Sequence, residues 1–517
     1  MKRFYKAINN GDAMVFTLFG HSFLFSANTL MYFPITECAK EMLLNGELEV
    51  GASAVSVKVC DASVGGESAP SGKDSVSVEK DSVQAKEKVM AVGEPVSCEI
   101  PENRMAEYLK RYSEKEINST FEKLKEINAN GSLGSAAWIF KPDIKFGDYT
   151  LKLVQSTRCN LNCSYCFSRK SKEYDMSVET AKKAILFFLD NFGDGKNCRY
   201  IIDLTGSGEP LLRLDFILEV NNFVQELKKE RDINIFCQLA TNGMLLTKKM
   251  SSLLKKNCIL FGVSLDGKKE ISEKNRAGLK YDVVAKNIQE MENKDFFGLA
   301  ATYSGNNHDF VEIFKTLYDF GPEVVGMKPV RLPENNPNSI NMQNIEEVKD
   351  SYDQFAKWMY KQLVSGKKEV FRAFLHSEDY FARFMKIMLH PLRVFYRCSA
   401  GVSSIAVDGK ENILVCPAFI GKKEGKLGSL DKGLLPEKMQ KMENLYADKI
   451  PACKNCWARY SCGGECFAEG FLNSGEMEKP VPAMCELKKY LIQLSIYFWT
   501  TLRFSHEEIY RECLENY

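Results

Sequence analysis

The feature that most constrains the fold is a run of strand-like and helix-like segments that alternate between residues 149 and 332. The strand candidates are rich in β-branched and aromatic residues, and amphipathic helical patterns separate them. Strands connected through helices pair in parallel, because a parallel crossover needs a long connection. Six units without a seventh or eighth predict an α/β fold, a partial (βα)6 TIM-like barrel that is open at one side. The strand candidates are YTLKLVQS, RYIIDLTG, INIFCQLAT, CILFGVSLD, GLAATYSG and EVVGMKPVRL.

The rest of the chain divides by composition. Residues 14–35 are apolar but interrupted by polar residues, which is typical of two strands joined by a turn and not of an export signal. Residues 51–100 contain no Phe, Trp or Tyr, which predicts a flexible insertion. The predicted regions are an N-terminal α+β unit (1–50), this insertion (51–100), a helical segment that completes the unit (101–135), the barrel (146–335), a helical bridge (336–390), a cysteine-rich domain (391–490) and a C-terminal helix (491–517).

Charge and cysteine content narrow the function. The formal net charge is +1, with both signs mixed along the chain, which argues against a nucleic-acid partner and against binding to a membrane. The chain has 17 cysteines, ten in tight spacings and seven scattered. In a long chain of alternating strands and helices this pattern favours metal binding over a disulfide framework, and it predicts a cytoplasmic location. The scattered cysteines are Cys38, Cys60, Cys98, Cys198, Cys237, Cys258 and Cys513.

Residues 159–166 read CNLNCSYC, which places Cys159, Cys163 and Cys166 directly after the first strand. Active sites of such barrels lie at the carboxyl ends of the strands. Thiolates at this spacing favour an iron–sulfur cluster, and three thiolates on four irons leave one iron open for a substrate or cofactor. The alternative is a zinc site with a distant fourth ligand, although zinc sites more often carry paired CxxC units.

This cysteine motif resembles the signature of the radical S-adenosylmethionine (SAM) superfamily, whose fold is a partial (βα)6 barrel. The resemblance implies that the open iron binds SAM and that electron transfer splits SAM into methionine and a 5′-deoxyadenosyl radical. Three further motifs follow successive strands. DLTGSGEP (203–210) resembles the family's GGEP motif with a serine inserted, ATNGMLL (240–246) resembles its TNG turn, and VSLDGKKEISEKNRAG (263–278) resembles the segment beside the ribose.

The resemblance also implies individual SAM contacts. It implies that the methionine amino group of SAM is contacted by Gly206, Ser207, Gly208 and Glu209, and that the TNG turn is formed by Thr241 and Asn242. It also implies that the ribose side is lined by Ser264 and Asp266, that the SAM carboxylate is bound by Arg276, and that the adenine lies beside Tyr165. An arginine fork suits a carboxylate partner. No residue is identified as the catalytic base.

A second cysteine field follows the barrel. Residues 453–466 read CKNCWARYSCGGEC and resemble the SPASM domain, which carries two auxiliary 4Fe–4S clusters in peptide-modifying radical SAM enzymes. Three 4Fe–4S clusters in total are therefore expected, together with SAM. A zinc-bound ribbon is the alternative. The resemblance assigns the outer cluster to Cys453, Cys456, Cys462 and Cys485, and the inner cluster, nearer the barrel, to Cys398, Cys416 and Cys466.

The inner set departs from the family pattern. Six residues separate Gly409 from Cys416, where the family usually has four, and the segment that carries a second cysteine in some members reads SAGVSS here, with Ser403 and Ser404. Without a fourth cysteine, the inner cluster either keeps an open iron or takes a distant ligand such as Asp408 or a scattered cysteine. An open iron could coordinate a substrate thiolate.

The N-terminal region carries a looser resemblance. Residues 14–46 are similar to the small winged-helix-like domain that binds leader peptides in maturases of ribosomally made peptides. Such a domain pairs an extended peptide with a strand edge. A generic capping hairpin is the alternative.

Together these resemblances imply a peptide maturase. The expected reaction is an intramolecular thioether, formed between a cysteine and a carbon of a precursor peptide as in sactipeptide maturation, with a reduced ferredoxin or flavodoxin as the electron donor. The alternatives are a formylglycine-forming sulfatase maturase, a carbon–carbon crosslinking enzyme, and a non-catalytic peptide-binding or electron-transfer protein. The last predicts no SAM cleavage.

Overall fold

The N-terminal unit begins with a small antiparallel sheet. The structure is a computed structural model that describes residues 4–8, 13–44, 102–129, 146–167 and 174–517. The insertion predicted at 51–100 lies outside these residues. The elements of the unit are β1 (Phe4–Ile8), β2 (Ala13–Leu18), β3 (His21–Ser26), β4 (Tyr32–Ile35), α1 (Glu37–Leu44), α2 (Glu102–Tyr108) and α3 (Glu114–Ala129).

The barrel consists of six parallel strands with helical connections, as predicted. Its strands are β5 (Asp148–Leu153), β7 (Arg199–Asp203), β8 (Asn234–Thr241), β9 (Leu260–Ser264), β11 (Gly298–Tyr303) and β12 (Val324–Pro329). Its helices are α4 (Val178–Asn191), α5 (Leu214–Glu230), α6 (Lys248–Lys256), α7 (Lys269–Asn275), α8 (Tyr281–Gln289) and α9 (Phe310–Tyr318). A short ladder joins β6 (Asn162–Cys163) to β10 (Arg276–Ala277).

The remaining elements follow the barrel. A helical bridge comprises α10 (Ile345–Val364), α11 (Lys368–Leu375) and α12 (Tyr380–Leu389). The cysteine-rich domain comprises β13 (Ser404–Val407), β14 (Asn412–Leu414), β15 (Lys426–Ser429), β16 (Gly433–Leu434), α13 (Pro436–Glu443), α14 (Pro451–Lys454), α15 (Arg459–Cys462) and α16 (Phe467–Ser474). The chain closes with α17 (Pro482–Ser505) and α18 (Glu507–Asn516). In the described ranges, no helix combines the length and apolar character that a membrane span requires.

The barrel strands bury one face and leave the other open. In β8, β9 and β11, buried residues alternate with half-exposed ones. The buried face packs on the surrounding helices, which explains its apolar residues at every second position. The open face carries small residues such as Ala240, Gly262 and Ala300. The barrel therefore encloses a concave interior with room beside the strand ends.

Strand β5 pairs on both of its edges. It pairs in parallel with β7, and on its other edge with β13 of the cysteine-rich domain. The sheet thus continues from the barrel through β14, β15 and β16 and reaches ten strands. The sequence did not predict this extension. It places the start of the cysteine-rich domain directly beside the first barrel strand.

The N-terminal sheet packs on two partners. One face, which includes Val15 and Leu24, packs on α1 and α3. The other face joins the main core, where the rings of Phe23 and Tyr497 on α17 lie 6.4 Å apart. The sequence predicted two strands in residues 14–35, whereas the structure has three, with β1 preceding them. The missed strand β4 is short and contains Pro34, which an edge strand tolerates because its outer N–H groups need no ladder partner.

The packing of α17 on α12 yields a stability prediction. Trp499 is fully buried, and its Nε1 donates a hydrogen bond of 2.8 Å to the carbonyl oxygen of Met385. Replacement by alanine leaves a cavity, so W499A should lower the free energy of unfolding by about 3–5 kcal/mol, measured by urea titration. F504A on the same helix, where the side chain is 72% exposed, should change it little. Equal losses in both variants would contradict this packing.

Candidate functional site

The first cysteine loop is held against the loop that follows β9 and α7. Cys163 lies opposite Arg276 in the ladder of β6 and β10, and Ser164 N donates to the carbonyl oxygen of Asn275 at 2.9 Å. Burial raises the pKa of Cys163; Arg276 opposes this, and the charges of Cys166 and Cys159 raise it further, to about 11. The three thiols are therefore within electrostatic range of one another.

The GSGEP loop approaches this cysteine loop very closely. Glu209 N donates to the carbonyl oxygen of Arg158 at 2.9 Å. A Cβ on Gly208 would lie 2.1 Å from the same oxygen, so only glycine fits there. The Oγ of Ser207 is buried and has no hydrogen-bond partner in the described part of the chain. The loop therefore supports the cysteine loop and leaves one buried polar atom unused.

Glu209 is a buried connector between two strand ends. Its carboxylate accepts hydrogen bonds from Thr241 Oγ1 at 2.6 Å, Asn242 N at 2.8 Å and Leu211 N at 3.1 Å. Burial raises its pKa, although these bonds oppose the shift. Asn242 Nδ2 in turn donates to Asn160 Oδ1 in the cysteine loop at 2.8 Å. Glu209, Thr241 and Asn242 thus position the loop, and an ammonium group could meet Glu209 only by sharing oxygens that are already bonded.

Asp266 forms a second buried connector. It is fully buried and accepts hydrogen bonds from Arg276 Nη2 at 2.8 Å, Tyr165 Oη at 2.7 Å and Thr302 N at 3.0 Å. A ribose contact by Asp266 would have to displace one of these partners. The guanidinium carbon of Arg276 lies 5.7 Å from the centre of the Tyr165 ring. Ser264 is half-buried at the end of β9.

Two unpartnered atoms make this site suitable for a ligand. Besides Ser207 Oγ, the Nε of Arg276 is buried without a hydrogen-bond partner among the described residues. Both belong to segments that the sequence assigned to SAM, and both lie on loops held to the cysteine loop. A hydroxyl and a cation fit the ammonium and carboxylate groups of an amino acid. The residues present therefore fit a thiolate-bound cluster and SAM, and their individual contacts remain predictions.

The inner cysteines also come together. Burial and then the charges of Cys466 and Cys398 raise the pKa of Cys416 to about 12. Lys152 on β5 lies within electrostatic range of both Cys398 and Cys416. The inner trio, defined as Cys398, Cys416 and Cys466, therefore lies near Lys152 of the first barrel strand. The pairing of β13 with β5 explains this position.

The structure also bears on the fourth inner ligand. Both carboxylate oxygens of Asp408 accept hydrogen bonds inside the β13–β14 turn, from Lys410 N at 2.9 Å, Asn412 N at 2.9 Å and Asn412 Nδ2 at 2.9 and 3.1 Å. The Asp408 carboxylate is therefore already hydrogen-bonded within its own turn. Burial raises the pKa of Cys466; the charge of Arg331 opposes this shift, and the charges of Cys398 and Glu469 add to it.

The outer cysteines form the third group. Burial and then the charges of Cys462, Cys485 and Cys456 raise the pKa of Cys453 to about 12. Beside them lies a buried ion pair, in which Lys488 Nζ is 2.9 Å from Glu465 Oε2. Burial would lower the pKa of Lys488, but Cys462 and Glu465 raise it above its ordinary value. Glu465 also accepts a bond from Cys466 N at 2.8 Å, which joins the outer group to the inner trio.

All fifteen cysteines in the described ranges are free thiols. Within the same ranges, no three His, Cys, Asp or Glu side chains are arranged to ligate a single metal ion. Thiolates on an iron–sulfur cube bind different irons and therefore stand farther apart than the ligands of one ion.

Sequence reasoning missed the charges inside the barrel. Lys152 Nζ lies 3.4 Å from Asp203 Oδ2, and Lys328 Nζ lies 2.8 Å from Glu378 Oε2. Lys152, Asp203 and Lys328 occupy open-face positions of strands. A lysine or aspartate inside an otherwise apolar strand could have indicated them, because fully buried strands rarely contain charged residues.

Comparisons with known proteins agree with this geometry. Residues 153–317 match the family model of the Radical SAM superfamily. A cysteine-type anaerobic sulfatase-maturating enzyme of Clostridium novyi is 35% identical over 128 residues, which are 23% of this chain and 33% of that enzyme. A serine-type anaerobic sulfatase-maturating enzyme of Bacteroides thetaiotaomicron is 24% identical over 364 residues, which are 63% of this chain and 84% of that enzyme.

A solved structure has the same fold. Native anSMEcpe with bound AdoMet superposes with a TM-score of 0.55 at 19% identity, over 68% of this chain and 98% of that one. Residues 153–317 are therefore a radical SAM domain, and the protein is a radical SAM enzyme. This confirms the family that the sequence predicted. Membership in this superfamily implies a 4Fe–4S cluster and SAM.

The close approach of the GSGEP loop yields a prediction. G208A must displace the carbonyl group of Arg158 or the loop itself, which should weaken SAM binding to the reconstituted enzyme by about tenfold or more, measured by isothermal titration calorimetry. G147A is the matched control, because a Cβ there would meet nothing within 4 Å. Unchanged SAM affinity in G208A would mean that the two loops do not position the site together.

The buried Lys488–Glu465 pair yields a further prediction, about stability. K488M leaves the Glu465 carboxylate buried without its cation, which should cost about 3–5 kcal/mol in urea unfolding of the anaerobically reconstituted protein. The double variant K488M/E465Q should recover part of this loss, because no buried charge is left unpaired. K286M is the control, since Lys286 lies 3.7 Å from Glu290 in an exposed pair and its loss should cost about 1 kcal/mol or less. E465Q alone is also measured, and a loss in K488M/E465Q equal to the sum of the losses in K488M and E465Q would contradict the pairing.

Proposed function

We propose that this enzyme installs intramolecular thioether crosslinks, of the sactionine type, in a ribosomally synthesised precursor peptide. When bound, the first cluster and SAM supply a 5′-deoxyadenosyl radical, which removes a hydrogen atom from a substrate carbon. The thiol of a substrate cysteine would lose its proton to solvent as its sulfur bonds to that carbon. An auxiliary cluster, which Cys398, Cys416 and Cys466 would hold, would supply the acceptor for the one electron released. Each crosslink therefore removes two hydrogens from the peptide.

The observation that carries the proposal is the inner trio beside the barrel interior. Cys398, Cys416 and Cys466 lie within electrostatic range of one another. Lys152, on the open face of β5, lies within electrostatic range of Cys398 and Cys416. Asp408, the acidic alternative for the fourth position, is bonded within its own turn. These features support an inner 4Fe–4S cluster with an open position that faces the substrate and accepts its thiolate. The third cluster would be held by the four outer cysteines, Cys453, Cys456, Cys462 and Cys485.

Different parts of the protein would hold SAM and bind the precursor peptide. Glu209 and Asp266 hold the loops of the SAM site in place, and the small open-face residues leave room for SAM. The N-terminal sheet would take the leader part of the peptide as an added strand at an edge, either β1 or β4. The enzyme would act in the cytoplasm, where ferredoxin or flavodoxin supplies electrons.

The test is anaerobic co-expression with the small cysteine-containing open reading frame nearest to its gene. The peptide should lose two hydrogens per crosslink by mass spectrometry, and the crosslinked cysteines should resist alkylation. C163A, which removes a ligand of the first cluster, should leave the peptide unmodified. Iron analysis should give about twelve irons per chain, and about four would contradict the three-cluster assignment.

The second candidate is a protein maturase that forms formylglycine. It is favoured by the similarity to sulfatase-maturating enzymes, one of which aligns over 84% of its length. Conversion of a cysteine to formylglycine removes the sulfur and so differs in mass from a crosslink. Conversion of a serine removes two hydrogens, as a crosslink does, but it leaves an aldehyde that reacts with a hydrazide probe. Loss of two hydrogens with cysteines that still alkylate, and with no aldehyde, would instead indicate a carbon–carbon crosslink.

A further inference from the structure

A turn of the N-terminal sheet reaches into the cysteine-rich domain. This turn joins β3 to β4, and its Asn28 is buried, with 1% of its surface exposed. The backbone carbonyl oxygen of Asn28 accepts a hydrogen bond of 2.6 Å from Arg393 Nε, and its side-chain Oδ1 accepts one of 2.9 Å from Arg459 Nη2. One residue of the sheet therefore contacts two arginines that lie 365 and 431 positions away along the chain.

The two arginines belong to segments that are bonded to each other. Val394 N donates to the carbonyl oxygen of Tyr460, and Arg397 N donates to that of Gly463, both at 2.7 Å. A Cβ on Gly463 would lie 2.7 Å from Arg397 N, so the segments approach as closely as a glycine allows. The Asn28 turn thus rests on a closely packed part of the cysteine-rich domain, just before Cys398.

Arg459 also holds the outer cysteine loop, defined as residues 453–462. Both its backbone N and its Nη1 donate to the carbonyl oxygen of Cys456 at 3.1 Å. The side chain is buried, with 4% of the residue exposed, and a buried guanidinium is costly unless its N–H groups find acceptors. The guanidinium therefore connects the backbone of this loop to Asn28 of the N-terminal sheet.

The loop also keeps hydrogen-bond donors that nothing in the described residues uses. Trp457 Nε1 and Ser461 Oγ are buried without a partner there, and they adjoin Cys456 and Cys462 in the sequence. Buried donors are nearly always bonded, and the sulfurs of an iron–sulfur cluster accept hydrogen bonds. The Trp457 ring meets Phe25 of β3 edge to face, with ring centres 5.8 Å apart. The outer cysteine loop therefore fits a cluster and packs on the N-terminal sheet.

We propose that Asn28 is a positioning residue for the outer cluster. Acting through Arg459, it keeps the outer cysteine loop in the conformation that retains the cluster, so the N-terminal sheet supports that site as well as any peptide. Only the carboxamide oxygen is needed, because Asn28 Nδ2 is buried without a partner among the described residues. The inference goes beyond the proposed function, since it holds whatever product the enzyme makes.

The test measures iron release from the anaerobically reconstituted full chain to bathophenanthroline disulfonate, followed by absorbance. N28A removes one acceptor of a buried cation, so about four of the roughly twelve irons should leave about tenfold faster than in wild type. N28D keeps an acceptor and should stay within about threefold of wild type. M31A alters an exposed side chain of the same turn and should match wild type.

Two further variants assign the fast phase. C456A removes an outer ligand, so it should bind about four fewer irons and N28A/C456A should show no fast phase. R459M removes the side-chain bonds to both Asn28 and Cys456, so it should release iron at least as fast as N28A. The double variant N28A/R459M should be no faster than R459M, because both changes break the same connection.

Each contrary result overturns the role of Asn28. Wild-type release in N28A would show that the turn does not support the loop. Equal rates in N28D and N28A would show that the acceptor is not the cause. Faster loss of all irons, or weaker SAM binding by isothermal titration calorimetry, would indicate general destabilisation instead of an effect on one site. An unchanged iron content in C456A would remove the outer site itself. None of these results depends on whether the peptide product is a thioether.

Discussion

Strand β5 is the element on which the arrangement of the sites depends. Its hydrogen bonds to β7 begin the barrel, and its hydrogen bonds to β13 begin the cysteine-rich domain. Its carboxyl end leads into the first cysteine loop, and its open face carries Lys152 beside the inner trio. One strand therefore sets the distance between the radical SAM site and the inner thiols. Because a central strand has partners on both sides, neither site can shift without breaking a ladder.

Buried charges hold the loops around the first site. Glu209 and Asp266 each bond to groups from different strand ends, so each connects loops that are far apart in the sequence. Burying a carboxylate is costly unless hydrogen bonds satisfy its oxygens, and here they do. The same logic applies to Lys488 and Glu465 between the two cysteine groups of the C-terminal domain. These side chains hold the loops of the sites in place. Ser207 Oγ and Arg276 Nε have no hydrogen-bond partner among the described residues, so they are available to a ligand.

Much of the fold could be predicted from local patterns. The barrel strands appear where apolar residues alternate, because every second side chain must pack on the helices. The short strands β1 and β4 were missed, since few residues and a proline give little periodic signal. The cysteine groups follow from spacing and from family resemblance. The pairing of Lys328 with Glu378 could not be predicted, because periodicity does not tell which polar residues face solvent outside the molecule and which face an open interior.

The sequence alone determined the class of the protein, since the order of its cysteine, GSGEP and TNG motifs along successive strands is a local property of the chain. The assignment of the thiols to three groups is a prediction from the spacing of the cysteines and from the family resemblance. Only the tertiary structure decided that Glu209 and Asp266 are bonded within the scaffold, that β13 adds to β5, and that Lys488 pairs with Glu465. These features depend on contacts between residues distant in the chain, and such contacts exist only once the sheet has closed around its interior.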